Sequence, residues 1–278
     1  MEPFTIHRPP SSSAVLYDSP HSGRFYPADF ESRASRLELR RGEDAYVDQL
    51  LSNAPSLGAC LLVANYPRCY IDVNRAETDI DAALLSEPWP TPLEPTEKTA
   101  RGLGLIRRYV VPGVEAQGRT LSVEAVRGRI ERVYRPYHAA LDALVREIFA
   151  AHGVVWHIDW HSMKSVGNAM TPDGPGARRP DFVVSNANES TASKEVTEIV
   201  VRYLRDAGHT VAVNDPYLGG VIVRHTGSPL RGIHSVQVEI NRALYLDEQR
   251  VDTTGSAVQL RKTIDGLTRA LVSAAPSS

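Results

Sequence analysis

Short apolar runs alternate with apolar residues at helical spacing along most of this chain, and that alternation constrains the fold more than any other feature. Ala14–Tyr17, Ala59–Ala64, Cys69–Val73, Val154–Trp160, Phe182–Ser185, Thr210–Val213, Val221–Val223 and Ser235–Ile240 read as strands. Between them, Asp44–Leu57 carries Val47, Leu50, Leu51, Ala54 and Leu57 on a helical face closed by Gly58. Thr191–Ala207 repeats apolar positions in the same way and stops at Gly208, and Ala257, Leu260, Ile264, Leu267 and Leu271 line a last helix. Ser122–His152 is a longer helical pattern with Pro136 inside it, which predicts a kink or two abutting helices. Strand–helix alternation of this kind predicts an α/β sheet covered by helices on both faces.

Two stretches break the pattern, the proline-rich Ser86–Thr96 and the Gly/Pro/Asn/Asp-rich Val166–Pro180. Loops of that length are usually flaps or insertions. Strands continue on either side of both, so neither reads as a linker and residues 1–278 read as one domain. With 31 basic and 33 acidic residues the net charge is −2, which gives no global electrostatic case for nucleic acid or an anionic membrane. No apolar run is long enough to span a bilayer, and the first residues lack the pattern of a signal peptide. Two cysteines, Cys60 and Cys69, cannot form a disulfide framework and fit buried small apolar residues in a reducing cytoplasm.

Ligands of open α/β sheets bind beyond the C-terminal ends of the strands, so polar residues that follow apolar runs are the candidates. Four places qualify. Asp18-Ser19-Pro20-His21-Ser22-Gly23-Arg24 puts one His in a tight turn, either as a metal ligand or anion-binding turn or as a surface residue. In His157-Ile158-Asp159-Trp160-His161 a strand would project His157, Asp159 and His161 from one face, so a ligand imidazole could lie beside an orienting carboxylate. Alternation in Val236–Ile240 likewise pairs Gln237 with Glu239, and a carboxylate within a buried strand is costly unless paired, coordinating or catalytic. Asp72-Val73-Asn74-Arg75 offers an Arg for a substrate carboxylate, or an internal salt bridge from Arg75 to Asp72 or Glu77. There is no phosphate loop, GxGxxG or GxSxG, so nucleotide binding and a serine-hydrolase elbow lack support.

Taken together these segments resemble the N-formylglutamate amidohydrolase family. The motifs run in order across nearly the whole chain: Ser-Pro-His-Ser-Gly at 19–23, Glu-Asp-Ala-Tyr-Val-Asp-Gln-Leu at 43–50 and Asp-Val-Asn-Arg at 72–75. They continue with Tyr-Arg-Pro-Tyr-His-Ala-Ala-Leu at 134–141, Ile-Asp-Trp-His-Ser-Met at 158–163, Asn-Asp-Pro-Tyr-Leu-Gly-Gly at 214–220 and Gln-Val-Glu-Ile-Asn-Arg-Ala-Leu-Tyr at 237–245. The resemblance implies a phosphorylase/hydrolase-like, zinc peptidase-like three-layer α/β sandwich with a mixed, mostly parallel sheet. It implies one Zn2+ held by His21, Asp44 and His161, with Glu43 competing with Asp44 for the acidic place. The chain departs from the His-x-x-Glu pairing of carboxypeptidase-like enzymes, because Arg24 stands where that Glu would be.

The resemblance further implies hydrolysis of N-formyl-L-glutamate to formate and glutamate, with Glu239 as the catalytic base and Asp159 as an orienting or polarising carboxylate. Asn74, Arg75 and Arg224 become candidates for the substrate carboxylates, and Tyr137, His138, Tyr217 and Gly220 further pocket residues. The expected partner is a small acidic N-acyl amino acid, with neither nucleic acid nor membrane, in the cytoplasm. The competing readings are a zinc deacylase of other N-acyl amino acids, a cell-wall-type amidase, and a non-catalytic binding protein on the same scaffold.

Overall fold

A computed structural model describes residues 1–276. One seven-stranded sheet draws its strands from most of the chain: β1 (Phe4–His7), β2 (Val15–Ser19), β3 (Cys60–Ala64), β4 (Val155–Met163), β5 (Phe182–Ser185), β6 (Val211–Val213) and β7 (Ile233–Asn241). Their order across the sheet is β1-β3-β2-β4-β7-β5-β6. The four central strands β3, β2, β4 and β7 are parallel, β1 and β5 run antiparallel to their inner neighbours, and β6 is parallel to β5. This is the α/β sheet that the alternation predicts and the mixed, mostly parallel sandwich that the resemblance implies.

The central strands are written so that their two faces differ. On one face Val15, Tyr17, Trp156, Ile158, Trp160, Val236, Val238 and Ile240 form a core with helices α2 (Lys194–Asp206) and α3 (Ala257–Ala274). Fully burying a large apolar side chain contributes about 1.5–3 kcal/mol, so this face fixes the register. The alternate residues therefore point to the opposite face: Leu16 and Asp18, then His157, Asp159 and His161, then Ser235, Gln237 and Glu239. Register places Asp18 beside Asp159, Asp159 beside Gln237, and His161 beside Glu239. A polar stripe thus runs up the middle of the sheet to its C-terminal edge. Helix α1 (Arg135–His152) and the apolar parts of residues 69–130 cover that face with a second core.

Several local expectations are corrected. Cys69–Val73 is not a strand but a buried turn, with Tyr70 and Ile71 N–H groups donating to Pro67 O. Its apolar side chains reach the second core, and a short apolar run reports burial rather than backbone shape. Val221–Val223 opens a short helix, Val221–Thr226. The pattern over Asp44–Leu57 yields only Val47–Leu50 and the 3-10 turn Pro55–Leu57. Around Pro136 the expected break is a π turn, Ile130–Tyr134, between Val123–Arg129 and α1, with the proline in the first turn of α1. No helix among the described residues is long and apolar enough to cross a membrane.

Candidate active site

At the C-terminal edge of the central strands three buried side chains converge. His21 follows β2, His161 lies near the end of β4, and Asp44 follows the helix Arg36–Gly42. The Asp44 N–H donates to His21 O at 3.0 Å, which fixes the loop beside the first imidazole. His21 Nδ1 and His161 Nδ1 face each other at 3.0 Å, and Asp44 Oδ2 is 3.0 Å from the latter and 3.4 Å from the former. The competing Glu43 points elsewhere, with Tyr26 OH donating to Oε1 and Arg40 Nη1 donating to Oε2 at 2.5 Å.

Each imidazole is held from behind by a carboxylate. His21 Nε2 is 2.6 Å from Asp72 Oδ1, and His161 Nε2 is 2.9 Å from Asp159 Oδ1 and 3.1 Å from Asn74 Nδ2. Asp72 also takes Arg68 and Arg107 at 3.2 Å. Arg68 and Arg242 reach Asp44 at 3.2 and 3.0 Å.

These neighbours set the charge states. Burial holds the His21 imidazole down to about 4, aided by the Arg68 charge. Burial opposes charge on His161 too, but Asp159 and Asp44 raise it well above the ordinary imidazole range. Burial opposes ionisation of Asp44 and Asp72, yet Arg68 and the neighbouring imidazoles hold both well below the usual carboxylate range. Asp159 is pushed up to about 7 by burial and by the Asp18 carboxylate next to it.

The donor set fits a divalent cation. Two inner imidazole nitrogens and a carboxylate oxygen crowd around one buried point, and the raised pKa of His161 marks that point as one that favours positive charge, which a proton or a divalent cation supplies. Asp159 is fully buried, and neither of its oxygens makes a well-aligned hydrogen bond among the described residues, so it too needs positive charge on the His161 side. Two imidazoles and one carboxylate are among the protein ligand sets of catalytic zinc.

The centre forms the floor of a cleft of about 610 Å³. Glu239 lines it beside His161, with Oε1 accepting from Gln237 Nε2 at 2.9 Å, and burial raises its pKa. Gln237 Oε1 in turn accepts from Gly220 N–H at 2.7 Å. A Cβ at Gly220 would lie 2.3 Å from Asn74 Oδ1, so only glycine permits this packing. Cationic side chains far outnumber acidic ones around the walls, as suits an anionic ligand.

The remaining sequence candidates divide. Arg75, Tyr217 and Arg224 line the cleft. Arg75 donates to Leu103 O and Asn74 O, both at 2.7 Å, and lies only loosely at 4.0 Å from Asp72, while Glu77 pairs with Arg135 instead. Asn74 also lines it, but its amide is engaged, with Oδ1 accepting from Ile222 N–H and Nδ2 against His161. Tyr137 and His138 are not pocket residues. Tyr137 is fully buried and donates to Asp18 Oδ2 at 2.8 Å, and His138 Nε2 donates to Val73 O at 2.8 Å. Neither lines the cleft: Tyr137 reaches the sheet at Asp18, and the half-buried His138 packs edge-on against His225. His157 likewise belongs to the interior, between Asp18 and Ser235. Of the two long loops, 166–180 contributes Asn168, Met170, Thr171, Pro172 and Arg179 to the lining, while 86–96 contributes only Thr96. Sequence spacing points to none of Arg68, Arg107 and Arg242, and offers Asp72 only as a partner for Arg75, because buried counter-charges carry no periodic signal.

The molecule is an α/β protein whose mostly parallel sheet carries a metal-competent imidazole–carboxylate centre at the foot of a cationic cleft. Residues 13–246 match the family described as N-formylglutamate amidohydrolase. A crystal structure of N-formylglutamate amidohydrolase from Ralstonia eutropha JMP134 is 38% identical, covers 99% of each chain and superposes with a TM-score of 0.92. N-formylglutamate deformylase of Pseudomonas putida is 27% identical over 238 residues, 84% of this chain and 82% of its own. Its Pseudomonas aeruginosa counterpart is 28% identical over 237 residues, 84% and 83% of the two chains. The chain belongs to the N-formylglutamate amidohydrolase family.

Proposed function

We propose that this protein hydrolyses the formamide bond of N-formyl-L-glutamate, releasing formate and L-glutamate. The observation that carries the reading is the convergence of His21, Asp44 and His161 beside Glu239 at the foot of a cationic cleft. It is supported by relatives that bear the name of that activity.

His21, Asp44 and His161 would hold a zinc ion. Bound there, the metal supplies Lewis acidity, which acidifies water toward neutral pH and polarises a formyl oxygen. Asp72 and Asp159 hold the backs of the two imidazoles and so keep their ligating nitrogens turned inward. Glu239 takes the proton from the attacking water and delivers it to the departing amine nitrogen, its orientation fixed by Gln237. Arg75, anchored by two backbone carbonyls, receives a substrate carboxylate, with Arg224 on the same cleft. Tyr217 closes the wall near Arg179, whose guanidinium lies 5.3 Å from the ring centroid.

A direct test measures formate release from N-formyl-L-glutamate by the zinc-loaded protein, beside a panel of N-formyl and N-acetyl amino acids. The proposal expects turnover of N-formyl-L-glutamate above the others and its loss on chelation. Preference for an N-acetyl substrate would favour the broader deacylase reading, and no turnover of any amide would overturn an enzymatic role.

A further inference from the structure

Lys98, like Lys164 and Arg224, is a cation of the cleft that no carboxylate answers, and it is the one whose backbone is tied to Arg75. Lys98 lines the wall next to Arg75 and keeps contact with solvent. Most other basic residues deep in the cleft are committed: Arg68 and Arg107 to Asp72, Arg179 to Asp173, and Arg242 to Asp44. No carboxylate lies within ion-pair distance of Lys98 among the described residues.

The backbone that presents Lys98 is built with care. Asp79 Oδ1 accepts from Thr96 N–H at 2.8 Å, Asp79 Oδ2 accepts from Thr96 Oγ1 at 3.1 Å, and Thr99 Oγ1 donates to Oδ1 as well. Asp79 thereby pins both ends of the short helix Glu97–Ala100. Leu103 joins the two cations: its N–H donates to Lys98 O at 2.8 Å, and its carbonyl accepts from Arg75 Nε at 2.7 Å. Arg75 and Lys98 are therefore held side by side by one scaffold, although like charges repel. Such an arrangement is costly in the free protein and is relieved by an anion between the two. Asn74 touches His161, and Arg75 follows it, so the pair extends outward from the reacting centre.

We infer that Lys98 is a specificity-determining residue, which with Arg75 clamps the side-chain carboxylate of a dicarboxylic N-acyl amino acid. This rests on the substrate class proposed above. Arg75, and then burial, depress the Lys98 ammonium to about 7. The other charged groups facing it are Arg68, Asp72 and Asp79 beneath, Glu239 across the cleft, and Glu97 and Arg101 on its own segment. The Glu97 side chain is 94% exposed and lies 3.8 Å from Arg101, so it does not neutralise Lys98. A bound carboxylate favours the charged amine, so affinity is greatest below about pH 7 and falls above it as the free lysine loses its proton.

The test compares zinc-loaded wild type, Lys98→Met and Lys98→Arg on N-formyl-L-glutamate and on its neutral isostere N-formyl-L-glutamine. Lys98→Met is expected to raise KM for the glutamate substrate about tenfold, with kcat within about twofold and no change for the glutamine substrate. In wild type that KM should climb above about pH 7, whereas Lys98→Arg, charged throughout, should flatten the climb. An unchanged KM in Lys98→Met, an equal rise on both substrates, or the same pH profile in wild type and Lys98→Arg would each overturn the inference. Calorimetric binding of L-glutamate against L-glutamine to the same three proteins asks the question without turnover. If wild type hydrolyses neither substrate but still loses its preference for glutamate in Lys98→Met, the hydrolytic reading fails and the clamp stands.

Discussion

Two imidazole–carboxylate clusters sit on the same side of the sheet, one among its strands and one at their C-terminal edge, and they have opposite characters. The inner one joins His157, Asp18, Tyr137 and Ser235. His157 Nδ1 meets Ser235 Oγ at 2.7 Å, Nε2 meets Asp18 Oδ1 at 3.0 Å, and Tyr137 OH supplies Asp18 Oδ2 at 2.8 Å. Each donor finds an acceptor, so the cluster is closed and needs nothing from outside. The outer one, His21, Asp44 and His161, sends its outer nitrogens backward to Asp72 and Asp159 and crowds two nitrogens and a carboxylate oxygen around one point. Residue type is nearly the same in both. What differs is that the inner cluster is a chain of one-to-one pairs, whereas three ligand atoms of the outer one converge on a single point that a cation can occupy.

The sharpest way to break this contrast is to truncate one His of each cluster. His161→Ala is expected to abolish both stoichiometric zinc and formate release, read by metal analysis and a formate assay. His157→Ala should keep its zinc but lose roughly 3 kcal/mol of stability in denaturant titration, because Asp18 is left buried without that partner. Zinc loss from His157→Ala would erase the distinction. Next in size, Glu239→Gln should lower kcat by about 10²–10⁴-fold with metal content intact, as removal of a proton carrier does. Asp72→Asn keeps the shape behind His21 but removes the charge, and zinc affinity should weaken about 10–100-fold in competition with a chelator. Arg75→Ala should raise KM for the acidic substrate about tenfold and leave kcat nearly unchanged. Smallest, Tyr137→Phe should cost about 1 kcal/mol of stability and leave KM alone. A large KM effect there would return Tyr137 to the pocket.

Much of this arrangement was legible because strand alternation is a rigid rule. His157, Asp159 and His161 had to share a face, as did Gln237 and Glu239, once Trp156, Ile158, Trp160, Val236, Val238 and Ile240 were assigned to the core. Alternation could not say which of His157 and His161 reaches a cleft, since both satisfy the same periodicity. It is the end of the strand, two turns of the pleat further on, that places His161 beside Glu239. Glu43 and Asp44 are equally adjacent in the chain. Their roles part only where Arg40 and Tyr26 take the first, while the His21 carbonyl draws the second inward. Tyr137 and His138 stand in the segment 134–141 that resembles the family, yet α1 turns them toward Asp18 and the Val73 carbonyl.

The order of apolar and polar residues dictates the layers of the fold and the face on which each polar residue of β2, β4 and β7 lies, because burial of one apolar face leaves its alternates no other side. Tertiary structure alone decided which carboxylate meets which imidazole, which arginines are neutralised, and that Lys98 stands unpaired next to Arg75. Those pairings join segments far apart in the chain, and Coulomb and hydrogen-bond energies depend on distances in space, which no local spacing encodes.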